Sequence, residues 1–192
     1  MTTMRNSAIL DPVKLTDLSD EALLAAWREG SERALDTLVA RHMRAAWEVA
    51  FRVMGDSAAA NDVVQDAFLS AIKALPAFRG ESSFRTWLFR ITINEARTAV
   101  RRLGRRREDS LDDFEFATSD LGPERDTVAR NEAERVAQAL ARLPEKQRLT
   151  VSLRLHQGLG FREIAEMVDS TEGAARVNFH HGIRKLREWL GE

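Results

Sequence analysis

An aromatic side chain lies beside several arginines on one predicted helix, residues 84–103, and this pairing suits contact with unpaired nucleic acid. At about 100° per residue, five polar side chains share one arc of the helix: Thr86, Arg90, Asn94, Arg97 and Arg101. Trp87 lies at the edge of that arc. Cations follow phosphates, and an aromatic ring stacks on an unpaired base. The same pattern also fits a core tryptophan near a helix edge with solvated arginines around it, so both interpretations stay open.

The elements that would position this face are two consecutive helices with apolar arcs. On the second helix the apolar arc comprises Phe84, Leu88, Ile91, Ala96, Ala99 and Leu103. On the preceding helix, which Pro76 stops, the predicted core face comprises Val64, Phe68, Ile72 and Leu75. A separate stripe on that helix comprises Asp62, Gln65, Asp66 and Leu69. Such a stripe is either solvated surface or a docking surface for a partner.

The composition argues against an enzyme or a metalloprotein. The chain has 192 residues, 44% of them apolar and 31% charged, which is ordinary for a globular protein of one large or two small domains. It has no cysteine, and its four histidines show no metal-ligand spacing. We find no nucleophile with a base and no glycine-rich phosphate loop, so the sequence predicts no catalytic activity, no metal and no cofactor. No apolar run is long enough to span a bilayer, which favours a cytoplasmic protein.

Charge is unevenly distributed although the formal net charge is only −1. An arginine cluster ends the second helix: Arg97, Arg101, Arg102, Arg105, Arg106 and Arg107. Carboxylates follow at once between residues 108 and 124, together with helix breakers. Residues 104–126 therefore have the composition of a flexible acidic linker between two helical units, residues 15–103 and 127–192. The fold predicted is all-α with two domains.

The second unit shows a helix-turn-helix pattern. A short helix over residues 161–167 precedes a turn and then a longer helix that reaches Leu190. On the longer helix the apolar positions Ala175, Phe179, Ile183, Leu186 and Leu190 are predicted to face inward. The outward face, which we expect to enter a major groove, comprises Arg176, Val177, Asn178, His180, His181, Arg184 and Lys185.

Several motifs resemble one family of transcription proteins. Asp62-Val-Val-Gln-Asp66, Phe78-Arg-Gly80, Phe84-Arg-Thr-Trp87 and Leu88-Phe-Arg-Ile91 resemble region 2 of the extracytoplasmic-function (ECF) sigma factors of the sigma-70 family. Leu143-Pro-Glu-Lys-Gln-Arg148 and Gly158-Leu-Gly-Phe-Arg-Glu-Ile-Ala-Glu166 resemble region 4. The order of region 2, acidic linker and region 4 is more specific than a helix-turn-helix pattern alone.

The resemblance implies a subunit that joins core RNA polymerase and directs it to promoters. It assigns the stripe Asp62, Gln65, Asp66 and Leu69 to the polymerase clamp. It assigns recognition and melting of the minus-10 element to Phe78, Arg79, Gly80, Ser82, Ser83, Thr86, Trp87, Arg90, Asn94, Arg97 and Arg101. The outward face of the last helix would bind the minus-35 element. An anti-sigma factor is an expected partner from the family alone.

Two other classes of protein remain as alternatives. A free-standing helix-turn-helix repressor explains the second unit but needs neither the acidic linker nor the Trp87 face. A helical adaptor that only holds partner proteins leaves the arginine cluster without a role. The linker itself either follows the RNA path, as its equivalent does in the family, or is a plain tether.

Overall fold

The computed structural model describes residues 15–108 and 127–191, and over these ranges the chain is helical without strands. The helices are α1 (Asp20–Arg28), α2 (Glu32–Met54), α3 (Ser57–Ala74), a 3₁₀ turn (Leu75–Ala77), α4 (Phe84–Glu108), α5 (Thr127–Ala141), α6 (Glu145–Leu155), α7 (Phe161–Met167) and α8 (Glu172–Leu190). The all-α prediction is confirmed. Most of the predicted linker lies outside the described residues.

Several helices begin or end at residue types that are typical of helix caps. The Ser19 hydroxyl accepts the Ala22 N–H at 3.3 Å, and the Asp56 carboxylate accepts the Ala59 N–H at 2.7 Å. Each bond satisfies an N–H that a helix start leaves without a partner. Gly55 ends α2 with φ of 72°, a left-handed conformation that glycine adopts without steric cost.

Helices α2, α3 and α4 pack together, with α1 lying against α2. The inner face of α2 is buried from Ala34 to Val53, and His42 on that face is only 6% exposed. Its Nε2 lies 2.7 Å from Asp20 Oδ2, so it is a hydrogen-bonded core histidine. On α3 one prediction is wrong: Ile72 is 39% exposed. The bundle core is filled instead by the smaller side chains of Val63, Ala67 and Ala71, beside Val64 and Phe68.

The C-terminal unit has the predicted helix-turn-helix. Helix α7 has the bounds that the periodicity predicts, and Glu163 Oε2 accepts the Gly160 N–H at 2.8 Å at its start. Helix α8 lies very close to α6 at Gly182. A Cβ at this position would lie only 2.7 Å from Val151 Cγ2, so a glycine is needed there. On α5, Val136 lies at helical spacing from the buried residues Ala139 and Leu140, but it is itself 41% exposed.

The two units pack against each other. Helix α6 lies on α2, and α7 lies on α4. Several buried residues of the C-terminal unit belong to the same apolar cluster as the N-terminal bundle: Leu149, Leu153, Leu159, Ile164, Ala165, Met167, Val168 and Ala175. A smaller second cluster joins α5, α6 and α8. We call the contact surface between residues 15–108 and residues 127–191 the seam.

Candidate nucleic-acid and protein interfaces

The stripe on α3 is exposed along its length. Asp62, Gln65, Asp66 and Leu69 all face solvent, and Leu69 is 56% exposed. An exposed leucine at the C-terminal end of the stripe, about one turn beyond Asp66, adds an apolar group to a surface that carries two carboxylates. Contact surfaces between proteins combine apolar and charged groups in this way.

The loop before α4 rests on an aromatic cluster. The Phe78 ring centroid lies 4.8 Å from that of Trp87, and the Phe84 ring lies 5.7 Å from Trp87. Arg28 Nη2 donates to the Phe78 carbonyl at 2.9 Å, which fixes the loop from the other side. Phe78 is buried at 9% exposure, and Trp87 is half-buried. The two sequence interpretations of Trp87 are therefore compatible, since it packs on the core and keeps part of its surface outside.

The tip of this loop carries exposed polar groups. Arg79, Gly80 and Ser83 are exposed, and Ser82 is half-buried. Arg79 Nε lies 3.2 Å from Glu81 Oε1, and both side chains are more than three-quarters exposed. A pair this exposed contributes little stability, so Arg79 is free to exchange Glu81 for another anion.

The polar arc of α4 is divided by the seam. Arg90, Asn94 and Arg101 are exposed as predicted. The prediction that Thr86 and Arg97 share that open face is wrong, because the C-terminal unit covers them. Thr86 is 3% exposed, and its hydroxyl donates to Glu163 Oε1 at 2.8 Å.

Arg97 reaches two carboxylates across the seam. Its Nε donates to Glu145 Oε1 and its Nη1 donates to Asp169 Oδ2, each at 2.8 Å. The Arg97 side chain keeps only 19% of its surface exposed. Both hydrogen bonds are short, as charge-assisted hydrogen bonds are.

Two further arginines line the seam. Burial lowers the pKa of Arg52 and of Arg148, while Glu48 opposes the shift for Arg52 and Glu145 opposes it for Arg148. Arg52 also lowers the pKa of Arg148 by repulsion. Glu145 therefore interacts with two arginines, through a hydrogen bond to Arg97 and through charge attraction to Arg148.

The outward face of α8 is open to solvent. Arg176, Val177, His180, His181 and Arg184 are exposed, while Asn178 and Lys185 are half-buried. The predicted inward positions Ala175 and Leu186 are buried, and Phe179, Ile183 and Leu190 pack partly buried against the core. Thr171 caps the helix by accepting the Ala174 N–H at 3.2 Å. An exposed, basic second helix of a helix-turn-helix has the form of a major-groove reader.

Sequence reasoning missed the seam carboxylates Glu145, Glu163 and Asp169. Glu145 and Glu163 lie in the first turns of their helices, where acidic residues are common because they offset the helix dipole. That local role gives no sign of a contact with α4. Among the described residues, no group of three or more acidic or histidine side chains is arranged to hold a metal ion, and no helix is long and apolar enough to cross a membrane.

The fold and these faces define an all-helical DNA-binding protein with two units, a helix-turn-helix and an aromatic and basic helix. The chain matches the Sigma-70 region 2 family over residues 38–106 and the Sigma-70, region 4 family over residues 133–186. It is 37% identical over 172 residues to the RNA polymerase sigma-H factor of Pseudomonas aeruginosa, covering 84% of this chain and 89% of that protein. It is 33% identical over 168 residues to the ECF RNA polymerase sigma-E factor of Escherichia coli K12, covering 83% and 87%.

Solved structures agree with this relationship. CnrH in complex with the cytosolic domain of CnrY matches with a TM-score of 0.67 and 29% identity, covering 90% of this chain and 97% of that one. The sigma factor RpoE of Bartonella quintana, in complex with the anti-sigma factor NepR, has the same fold with a TM-score of 0.73, at 22% identity and 82% and 96% coverage. The chain belongs to the ECF sigma factors. It binds core RNA polymerase and promoter DNA, and directs promoter recognition and transcription initiation.

Proposed function

We propose that three surfaces of the protein have separate roles in transcription initiation. The α3 stripe of Asp62, Gln65, Asp66 and Leu69 docks on the polymerase clamp. The loop over residues 78–83, with Trp87 and the polar arc of α4, recognises and melts the minus-10 element. The outward face of α8 binds the minus-35 element. The observation that carries the proposal is that each surface keeps exposed groups whose chemistry suits its partner: the whole α3 stripe, Arg79 and then Arg90, Asn94 and Arg101 on the minus-10 side, and most of the α8 face.

Within this proposal the working units are residues 15–103 and 127–192, joined by residues 104–126. The protein works as a binding factor without catalytic activity, because the energy for melting comes from capture of unpaired bases. It acts in the cytoplasm, where its polymerase is. An anti-sigma factor is a proposed regulator. The solved RpoE is bound to the anti-sigma factor NepR, and the solved CnrH is bound to the cytosolic domain of CnrY.

The docking role is tested by reversing one charge on the stripe. Asp66→Lys places a cation where we propose that the clamp presents basic groups, so core affinity should fall by about tenfold or more. The measurement is a titration of labelled protein with purified core enzyme, followed by transcription from a selected promoter. Asp36→Lys is the matched control, because Asp36 is exposed on the same bundle away from the stripe. Equal affinities for the two variants would remove the stripe from the docking role.

A further inference from the structure

The outward face of α8 carries one exposed aliphatic side chain among its polar groups. Val177 is 53% exposed, whereas the other large apolar side chains of α8 are buried or half-buried. Gly173 and Ala174 lie one turn before it on the same side of the helix. His180 and His181 lie one turn after it, and all four of these neighbours are exposed. Val177 therefore lies within the surface that we propose for the minus-35 element, not at its border.

The turn before Val177 carries only small side chains. A helical side chain leans toward the N-terminus and covers the preceding turn, which here contains Gly173 and Ala174. A Cβ added at Gly173 would meet nothing within 4 Å, so the surface there is open. Recognition helices contact base edges through residues near their N-terminus. The small side chains at this end of α8 allow the helix to approach the base pairs closely enough for Val177 to touch them.

The arginine next to Val177 has partners within the protein. Arg176 Nη2 donates to Glu172 Oε1, and the Arg176 guanidinium carbon lies 4.9 Å from the centroid of the Phe161 ring. A cation is attracted to the face of an aromatic ring. Phe161 is the first residue of α7. The Arg176 guanidinium thus lies on the flank of α8 beside α7, and the adjacent part of the outward face is left to Val177.

An aliphatic side chain can select one feature of the major groove. Valine has neither a donor nor an acceptor on its side chain, so it cannot pair with the polar atoms of a base edge. Thymine alone among the four bases presents a methyl group in the major groove. Contact with this methyl group removes apolar surface from water on both molecules. A polar base atom against Val177 would lose water without gaining a hydrogen bond, so the position also disfavours the other bases.

We propose that Val177 is a specificity-determining residue, which reads one thymine of the minus-35 element through the C5 methyl group. This inference rests on the proposed minus-35 role of α8, and it adds the base that this position selects. Burial of one methyl-sized group changes a binding constant roughly fourfold, which sets the size of the expected effect.

The test removes methyl groups from either partner of the contact. A promoter is first selected from a library with a random minus-35 element, by the full-length protein bound to core polymerase. Each thymine of the selected element is then replaced singly by uracil, which lacks only the C5 methyl group. One of these replacements should weaken binding of the parent roughly fourfold. Val177→Ala should bind the thymine promoter more weakly than the parent does, and it should no longer distinguish thymine from uracil at that position.

Val136→Ala is the matched control, because Val136 is a valine on α5 that is 41% exposed. It should keep the parental ratio of affinities for thymine and uracil. Val177 is exposed and alanine favours helix, so Val177→Ala should fold like the parent.

Three results would overturn the role of Val177. The first is a parent without any methyl effect, whether its selected element lacks thymine or tolerates uracil. The second is a methyl effect that persists in Val177→Ala, and the third is one that Val136→Ala also abolishes. Failure of the parent to select any minus-35 element would instead overturn the proposed function of the α8 face itself.

Discussion

The α8 face and the α4 face show what sequence periodicity does and does not reveal. Both are polar, partly basic faces of amphipathic helices, and periodicity predicts both to be open. The α8 face is open along most of its length, whereas α4 loses Thr86 and Arg97 to the seam. Periodicity identifies which residues share a face. It does not identify what packs on that face.

The difference follows from the position of each helix. Helix α8 packs on α5, α6 and α7 through its inner side, so its outer side has no neighbour in the described residues. Helix α4 packs on α2 and α3, and α7 covers a further side. Phe89, Thr92 and Ile93 are consequently fully buried, although none of them belongs to the apolar arc that the sequence defines. A central helix needs more than one buried face.

Among substitutions on the α4 and α8 faces, we expect the largest effect on transcription initiation at Trp87 of α4. Stacking on an unpaired base contributes roughly 1 to 3 kcal/mol, so Trp87→Ala should reduce open-complex formation on duplex promoter by roughly fivefold to a hundredfold. A template already mismatched across the bubble should recover much of the loss, which permanganate footprinting can measure.

Trp47→Ala is the matched control for loss of a tryptophan. Trp47 is also half-buried, and its ring is stacked on Phe51 at 5.2 Å on α2, away from the proposed minus-10 face. Both variants should lose some folding stability. If Trp47→Ala reduces open-complex formation equally, the promoter role of Trp87 is refuted.

A smaller effect is expected at Arg184 on the open face. Arg184→Ala should weaken binding to a selected minus-35 duplex several-fold and lower the salt slope by about one, since one fewer counterion is released. The loss should be the same when Glu145→Gln and Asp169→Asn remove the two carboxylates that bind Arg97 across the seam, because the seam does not cover Arg184. Fluorescence anisotropy over a range of salt concentrations gives both numbers. A loss that depends strongly on the background would mean that the two faces are coupled.

We expect the smallest effect from protonation of His42, which should lower the folding stability of the N-terminal bundle at acidic pH. Burial lowers the pKa of His42, with Asp20 opposing the shift and Arg41 and Arg85 adding to it. The unfolded chain therefore binds a proton near about pH 6.5 that the folded chain binds only at lower pH, so stability is fully present above that value and is lost as pH falls below it.

Thermal unfolding between about pH 8 and about pH 5 checks this prediction. The melting temperature of the parent should decrease across the acidic half of that range. His42→Gln cannot take up a proton and should lose part of this dependence, although it will be less stable at neutral pH. An identical pH profile for the two proteins would assign acid sensitivity to other groups.

Much of the local structure was predictable from short-range signals. The caps Ser19 and Asp56, the end of α2 at Gly55 and the bounds of α7 depend on residues within one or two turns of each other. The exposed α3 stripe and the orientation of α8 were predictable for the same reason. The burial of Thr86 was not, because its partner Glu163 is 77 positions away in the chain.

The helices, the order of the two units and the family could be predicted from periodicity, caps and motifs, because these are local properties of the chain. The exposure of Ile72 and Val136, the burial of Phe78 against Trp87 and the contact of region 4 with Arg97 could be seen only in the folded protein. These outcomes depend on how the helices pack within each unit and on how the two units pack against each other. The energies that favour one packing are sums of many long-range contacts, and no short stretch of sequence contains them.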